Sequence, residues 1–247
     1  MKNRVFTRDI KTVYVVGDLH GDNDSFIKIL SLYKKAEKDS LLIFLGDYAD
    51  RGKQGVEIIT KLNDLLESNE NIIALKGNHE LYINGFPAFS PCNLVEEARS
   101  KYPSWEYFYS EVLSKFISKL YTAAIINNVL FVHGGVSSRI KTVEDLEDIK
   151  NEKILLWSDP SIIKNEHRDI RGAGVEFGED ITDKVLSSLG LKLIVRSHEP
   201  GKAANGPFVE HGGKVITTNS CDSYGKLWNR FILKINTINL KYMPLYI

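Results

Sequence analysis

The sequence predicts an α/β protein built on a parallel sheet, and three observations carry that prediction. Apolar runs rich in β-branched or aliphatic residues recur at Thr12–Val16, Leu41–Leu45 and Asn71–Leu75. The segments between them carry apolar residues at helical spacing. Each run stops at a glycine followed by polar residues. A β-α-β-α-β order implies parallel strands joined by right-handed crossovers.

Each element has its own justification. Thr12-Val-Tyr-Val-Val16 is β-branched and bounded by Gly17. Residues 22–36 read as a helix that Asp22 or Asp24 caps, with Phe26, Ile27, Leu30 and Tyr33 on one face. Leu41–Leu45 ends at Gly46, and Gln54–Glu67 follows as a helix with Val56, Ile59, Leu62 and Leu66 in a stripe. Asn71–Leu75 ends just before Gly77. Residues 81–121 are expected to form a mostly helical cover whose aromatics (Phe86, Phe89, Trp105, Tyr107, Phe108, Tyr109, Phe116) belong to the core. Val129–Val132, Leu191–Val195 and Lys214–Thr217 read as further strands, and Phe231–Ile235 with Leu240–Leu245 as a hairpin. No Gly/Ser/Pro-rich linker divides the chain, so 1–247 reads as one domain.

Composition narrows the classes. A chain of 247 residues with 43% hydrophobic residues can bury a substantial core. Lys plus Arg (32) equals Asp plus Glu (32), which argues against nucleic acid as the main partner. Two cysteines, Cys92 and Cys221, are too few for a disulfide framework and fit a reducing compartment. The N-terminal MKNRVFTRDI lacks the apolar core of a signal peptide. No stretch approaches the roughly 20 apolar residues of a membrane span. A cytoplasmic protein without a membrane partner is expected.

Five of the predicted strands run into polar motifs. These are Gly17-Asp-Leu-His-Gly-Asp22, Gly46-Asp-Tyr-Ala-Asp-Arg-Gly52, Gly77-Asn-His-Glu80, His133-Gly-Gly135 and Arg196-Ser-His-Glu199. Carboxyl ends of strands line the ligand crevice of open α/β sheets, so these residues are expected at one edge. Hard oxygen donors mixed with imidazoles suit divalent manganese, iron or zinc. Asp18 and His20 can hold one ion, Asp47 can bridge two, and Asn78, His133 and His198 can complete the second. Two such ions clamp a phosphate and bring the pKa of bound water toward about 7. A single Asp at a strand end is ordinarily a cap, and a single buried His a hydrogen-bonded core residue. Here four of the six histidines follow strand-like runs, a coincidence those ordinary roles do not explain. His167 and His211 do not, and neither is assigned to the site.

As a series, these motifs resemble those of the phosphoprotein phosphatase family of serine/threonine phosphatases, within the calcineurin-like metallophosphoesterase superfamily. The resemblance runs from about Val13 to Cys221 and includes Trp157-Ser-Asp-Pro160 and Arg171-Gly-Ala-Gly-Val-Glu-Phe-Gly178. It implies a four-layer α/β/β/α sandwich of two mixed sheets flanked by helices. It implies two divalent metal ions, manganese first and iron or zinc as alternatives. Asp18, His20 and Asp47 match the first metal site and Asn78, His133 and His198 the second, with Asp47 as the bridge. Arg51 and Arg171 match the two phosphate-clamping arginines, whose planar forks suit phosphate oxygens. Asn78 is grouped with them in substrate binding. His79 matches the proton donor to the leaving alkoxide, and Asp50 the carboxylate that orients it and favours its protonated form. The implied reaction is in-line attack of a metal-bridging hydroxide on a phosphoserine or phosphothreonine ester of a phosphoprotein or phosphopeptide.

Two positions depart from the family pattern. Lys76 stands before Gly77-Asn-His-Glu80 where the family has Arg, and Ser220 stands before Cys221 where the family has an active-site Tyr. The second change is expected to loosen the grip on substrate. Three rival readings remain in view. A nuclease of the same superfamily would end in Gly-His-x-His, which Arg196-Ser-His-Glu-Pro200 is not. A dinucleoside polyphosphate (diadenosine tetraphosphate) hydrolase shares most of the motifs, though Arg171 and its surroundings favour the phosphatase. A catalytically silent binding scaffold would be expected to lose a ligand or the proton donor, and none is lost.

Overall fold

The structure is a computed structural model and describes residues 2–247. Two sheets carry it. One has five strands in the order Tyr242–Tyr246, Phe231–Asn236, Thr12–Val16, Ser40–Phe44, Ile72–Ala74. Its last three strands are parallel, as the alternation with helices requires, and the C-terminal hairpin adds to Thr12–Val16 antiparallel. The other sheet orders Val5–Thr7, Ala123–Ile126, Val129–Val132, Leu193–Arg196, Val215–Thr217, Phe208–Glu210. It is mixed, with parallel pairing through Val129–Val132, Leu193–Arg196 and Val215–Thr217.

Side chains alternate across a strand, and that period sorts the core into layers. Val13, Val15, Leu41, Ile43, Leu233 and Ile235 pack against Ala124, Val129, Phe131, Val195 and Ile216 of the facing sheet. Tyr14, Val16, Leu42 and Phe44, on the opposite face, meet Phe26, Ile29, Ile59, Leu62, Phe108 and Phe116 from helices. Leu130, Val132, Ile194 and Val215 likewise meet Leu155, Ile181, Val185 and Leu186. Helices, sheet, sheet and helices make four layers, the architecture expected from the motif series. The central strands read as unbroken apolar runs because both of their faces are covered.

The helices begin where their caps place them. Asp22 accepts from Ser25 N at 3.0 Å and starts Asn23–Tyr33. That helix ends at Tyr33 rather than Ala36, because Lys35 N and Ala36 N turn back to carbonyls three residues earlier. Gly55–Ser68 has no capping side chain of its own. Glu97 supplies the acceptors instead, at 3.1 and 2.9 Å from Gly55 N and Val56 N.

The cover differs most from expectation. It opens with a hairpin of Tyr82–Ile83 and Phe86–Pro87, turned by Asn84 and Gly85 at φ 52° and 84°. Asn-Gly is the strongest two-residue hairpin signal, and the helical reading of 81–121 passed over it. Helices Leu94–Lys101, Trp105–Phe108 and Ser114–Lys119 follow. Trp105, Phe108 and Phe116 are buried as expected, but Phe86 and Tyr107 are exposed and Phe89 faces a cavity. The strand Ala123–Ile126 and a three-stranded sheet of Asp159–Pro160, Glu166–Arg168 and Val175–Phe177 were not foreseen.

Candidate active site and metal centre

All five motifs lie at or just beyond the carboxyl ends of their strands, three on one sheet and two on the other. The backbone there is unusual. His20, Asp47, Asp50, Arg51 and His198 have φ between 43° and 70°. L-residues take that region at a cost of roughly 1–2 kcal/mol each, so the surrounding packing must enforce it. Gly46 (φ 115°) lies backbone to backbone against Gly77, and a side chain at Gly77 would collide with Asp47 Oδ1. Glu80 locks the same two loops, accepting from Asp47 N, Tyr48 N and Gly77 N at 2.9, 3.1 and 2.9 Å. Nothing in the Gly77-Asn-His-Glu80 pattern itself signals this role for Glu80.

Six side chains converge. His20 Nε2 is 3.8 Å from Asp18 Oδ2 and 3.5 Å from Asp47 Oδ2. His133 Nε2 is 3.5 Å from Asp47 Oδ1, 2.9 Å from Asn78 Oδ1 and 3.2 Å from His198 Nδ1. The groups near enough to share an ion are His20, Asp47 and His79, and Asp47, His133 and His198, so Asp47 belongs to both. His79 falls in the first by proximity, but its Nδ1 is committed to Asp50. Asp18 fits that place better, for the reasons that follow.

The donor and acceptor roles show what the centre lacks. His20 Nδ1 faces the Ala49 carbonyl at 2.9 Å and His133 Nδ1 the Leu45 carbonyl at 3.0 Å. A carbonyl only accepts, so each Nδ1 carries the proton and each Nε2 turns a lone pair inward. Asp18 Oδ1 accepts from Ser197 Oγ at 2.6 Å, while Oδ2 is buried with no hydrogen-bond partner. Lone pairs of Asp18, His20 and Asp47 therefore converge with no donor among them. Buried acceptors in that arrangement call for a cation. Burial, then the charges of Asp18 and Glu80, hold the Asp47 carboxyl well above its usual range. Burial pulls the His20 imidazole down to about 3 and also lowers His133 and His198, which keeps them neutral as ligation requires. The residues fit a pair of divalent cations.

His198 is the exception. Arg171 Nη1 lies 2.7 Å from its Nε2, and a guanidinium only donates. The His198 proton therefore sits on Nδ1, facing the cluster. Ligation through Nδ1 requires that proton to move to Nε2 and Arg171 to release it.

Asp50 and His79 are paired as expected, with Asp50 Oδ2 2.7 Å from His79 Nδ1. Asp50 Oδ1 accepts from Asn93 N and Leu94 N at 2.7 and 2.9 Å. Burial works to raise the Asp50 carboxyl, but the His79 bond and these amides outweigh it and hold it low. His79 Nε2 is left for the cavity.

That cavity, about 430 Å³, is lined by Arg51, Asn78, His79 and Arg171 together with Phe89, Trp157 and Tyr224. The two arginines differ. Arg171 bonds Asp169 at 3.2 and 2.9 Å, the Trp157 carbonyl at 3.3 Å, and Asp159. Asp159 in turn accepts from the fully buried Arg196 at 2.6 Å. The guanidinium of Arg51 has no hydrogen bond or ion pair among the described residues and lies 6.0 Å over the Tyr224 ring.

Both departures from the family pattern take on a different meaning in the structure. Ser220 is not in the cavity. It is fully buried, accepting from Gly17 N at 3.0 Å and donating to the Phe231 carbonyl at 2.7 Å. Its hydroxyl ties two strand ends together, and the aromatic residue of this loop that faces the cavity is Tyr224. Lys76 is paired with Glu152 at 2.7 Å and does not line the cavity. His211 is held by Thr182 at 2.7 Å and the Ser161 carbonyl at 3.0 Å, and His167 is exposed, so neither belongs to the site. Both cysteines are free thiols, and burial pushes Cys92 up to about 11.

Residues 11–202 match the family model described as calcineurin-like phosphoesterase. The chain belongs to that family. Among curated relatives of this calcineurin-like phosphoesterase, a probable serine/threonine-protein phosphatase of Encephalitozoon cuniculi is 35% identical over 238 residues, 90% of this chain and 50% of that one. Human serine/threonine-protein phosphatase 5 is 32% identical over 238 residues, 88% of this chain and 45% of that one. A Saccharomyces cerevisiae serine/threonine phosphatase structure, described as similar to human PP5, superposes with a TM-score of 0.76 at 26% identity. That match covers 95% of this chain and 76% of the other. The chain spans about half the length of these curated relatives. No helix among the described residues of this phosphoesterase is long and apolar enough to cross a membrane.

Proposed function

We propose that this chain is a metal-dependent phosphomonoester hydrolase of the serine/threonine protein phosphatase type, acting as one domain over 1–247 on phosphoserine or phosphothreonine in proteins. The observation that carries the reading is the convergence of Asp18 Oδ2, His20 Nε2 and Asp47 Oδ2 without a donor, beside two arginines and an Asp-His pair. Asp18, His20 and Asp47 would hold one divalent cation, and Asp47, Asn78, His133 and His198 the other. Manganese is the first candidate, with iron or zinc as alternatives. When bound, the cations supply Lewis-acid charge to phosphoryl oxygens and acidify a water for attack.

The chain's own groups do the rest. Arg51 and Arg171 donate to the equatorial oxygens and neutralise charge that grows toward the transition state. Asn78 adds an amide on the same side. Asp50 fixes the His79 ring so that Nε2 offers its proton to the leaving serine or threonine oxygen. Phe89, whose ring centroid is 4.4 Å from that of His79, packs beside that ring on the cavity wall.

The test is phosphate release by the purified protein with added manganese, from a phosphothreonine peptide and from diadenosine tetraphosphate in parallel, with a chelator control. Efficient, chelator-sensitive turnover of the peptide is expected. Preference for the dinucleotide would sink the substrate assignment while leaving the metal centre standing. The curated relatives and the solved structure named as serine/threonine phosphatases support the peptide arm of that comparison.

A further inference from the structure

We infer that Tyr224 is a phosphate-binding residue of this site, its ring carrying the Arg51 guanidinium and its hydroxyl donating to a phosphoryl oxygen. The assignment deepens the phosphomonoesterase reading and rests on it. Position 224 lies beyond the family match, which ends at residue 202. The family pattern places its tyrosine at position 220, where Ser220 is fully buried.

Three observations converge on Tyr224. It lines the cavity that also contains His20, Arg51, Asn78 and Arg171. Its ring is fixed on two sides, edge-on to His20 at 5.5 Å and backed by Trp228 at 5.3 Å. The Arg51 guanidinium, with no hydrogen bond or ion pair among the described residues, rests over that ring at 6.0 Å. An unpaired guanidinium over an aromatic face is held in register without spending its donors. All of them then remain for a phosphate. The Tyr224 hydroxyl has no hydrogen-bond partner among the described residues and is open to solvent in the cavity. An anion held between Arg51 and the metal centre would provide one. Had the ring served only as an apolar wall, phenylalanine would do as well, and that difference makes the inference testable.

The experiment titrates inorganic phosphate into the manganese-loaded protein calorimetrically, for wild type, Tyr224→Phe, Tyr224→Ala and Ser220→Ala, with KM and kcat on the phosphothreonine peptide in parallel. Tyr224→Phe keeps the ring and is expected to weaken phosphate about tenfold, the value of one hydrogen bond to a charged acceptor. Tyr224→Ala also releases Arg51 and should cost a further twofold to fivefold or so. KM should rise in step, with kcat less affected. Manganese stoichiometry and circular dichroism should be unchanged in Tyr224→Phe, and Ser220→Ala should bind phosphate as wild type does. Wild-type phosphate affinity in Tyr224→Phe overturns the assignment, whatever the alanine variant does. Weakened phosphate binding in Ser220→Ala alone overturns it in favour of position 220. If phosphate binding depends on Tyr224 but no phosphopeptide is turned over, the assignment stands and the substrate reading falls. A wild-type protein that binds no phosphate overturns both.

Discussion

The two arginines that flank the cavity are held by opposite means. Arg171 spreads its donors over Asp159, Asp169, the Trp157 carbonyl and His198, and through Asp159 it is tied to the buried Arg196. Arg51 leaves its fork free above the Tyr224 ring. On the proposed reading, the difference divides one task in two. A tethered guanidinium is already oriented and loses little freedom on meeting phosphate, but two carboxylates compete for it. One that only rests on a ring face has more freedom left to lose, at most about 2 kcal/mol of side-chain entropy, and brings every donor it has. Arg51 suits capture of the phosphate, and Arg171 suits its orientation.

The largest expected effect falls where the two sides meet. Asp47 belongs to both ion-sharing groups, so Asp47→Asn should cut turnover about a thousandfold or more, with the fold intact by circular dichroism. Near-normal kcat would remove the bridging role. Next comes His79→Ala, which should cost roughly 10²–10⁴ in kcat on a phosphothreonine peptide, the usual range for a lost general acid. An aryl phosphate whose phenol has a pKa near 10 needs less help in leaving, so the same variant should lose far less on it. Equal losses on the two substrates would mean that His79 acts on something other than the leaving group.

The arginine comparison can be broken directly. Arg51→Ala and Arg171→Ala should each lower kcat/KM by about 10² or more, since each removes a charged clamp. Only Arg171→Ala should also lower stability. It leaves Asp159 and Asp169, which are 12% and 3% exposed, without their shared partner. The cost should be about 1–3 kcal/mol, at the low end because the Arg171 side chain is itself a third exposed. Thermal unfolding midpoints measure this. Equal midpoints for the two variants would show that the Arg171 tether is not used for stability.

Much of the Asp47 side was legible in the sequence, and much of the Arg171 tether was not. Parallel strands announce themselves as unbroken apolar runs, and a glycine and a polar residue beyond each marks the strand end, so all six expected ligands and the Asp50–His79 pair were readable. Asp159 and Arg196 lie inside motifs, but their pairing is not legible there, because ion pairing between residues 37 apart leaves no local pattern. Tyr224 lies in an irregular loop with no period to read. The burial of Ser220 was not legible, because alignment on Cys221 fixes a position along the chain and not the direction of a side chain. The hairpin at Asn84-Gly85 was legible and was outweighed by the aromatic content around it.

The smallest effect expected comes from paired lysine substitutions, and it sharpens the contrast most. Arg51→Lys keeps a charge where no partner among the described residues bonds the fork. Its cost should be confined to phosphate affinity, a few-fold loss from one donor fewer on the anion, with the unfolding midpoint unchanged. Arg171→Lys keeps the charge where the planar fork reaches Asp159, Asp169 and a carbonyl at once. A compact ammonium cannot span all three, so this variant should lose about 0.5–1.5 kcal/mol of stability, the value of one hydrogen bond, besides weakening phosphate. Stability unchanged in both would mean that charge alone holds the Arg171 side. Stability lost in Arg171→Lys alone would mean that the planar fork is what fixes that wall, while the opposite wall rests on the Tyr224 ring and keeps its donors for phosphate.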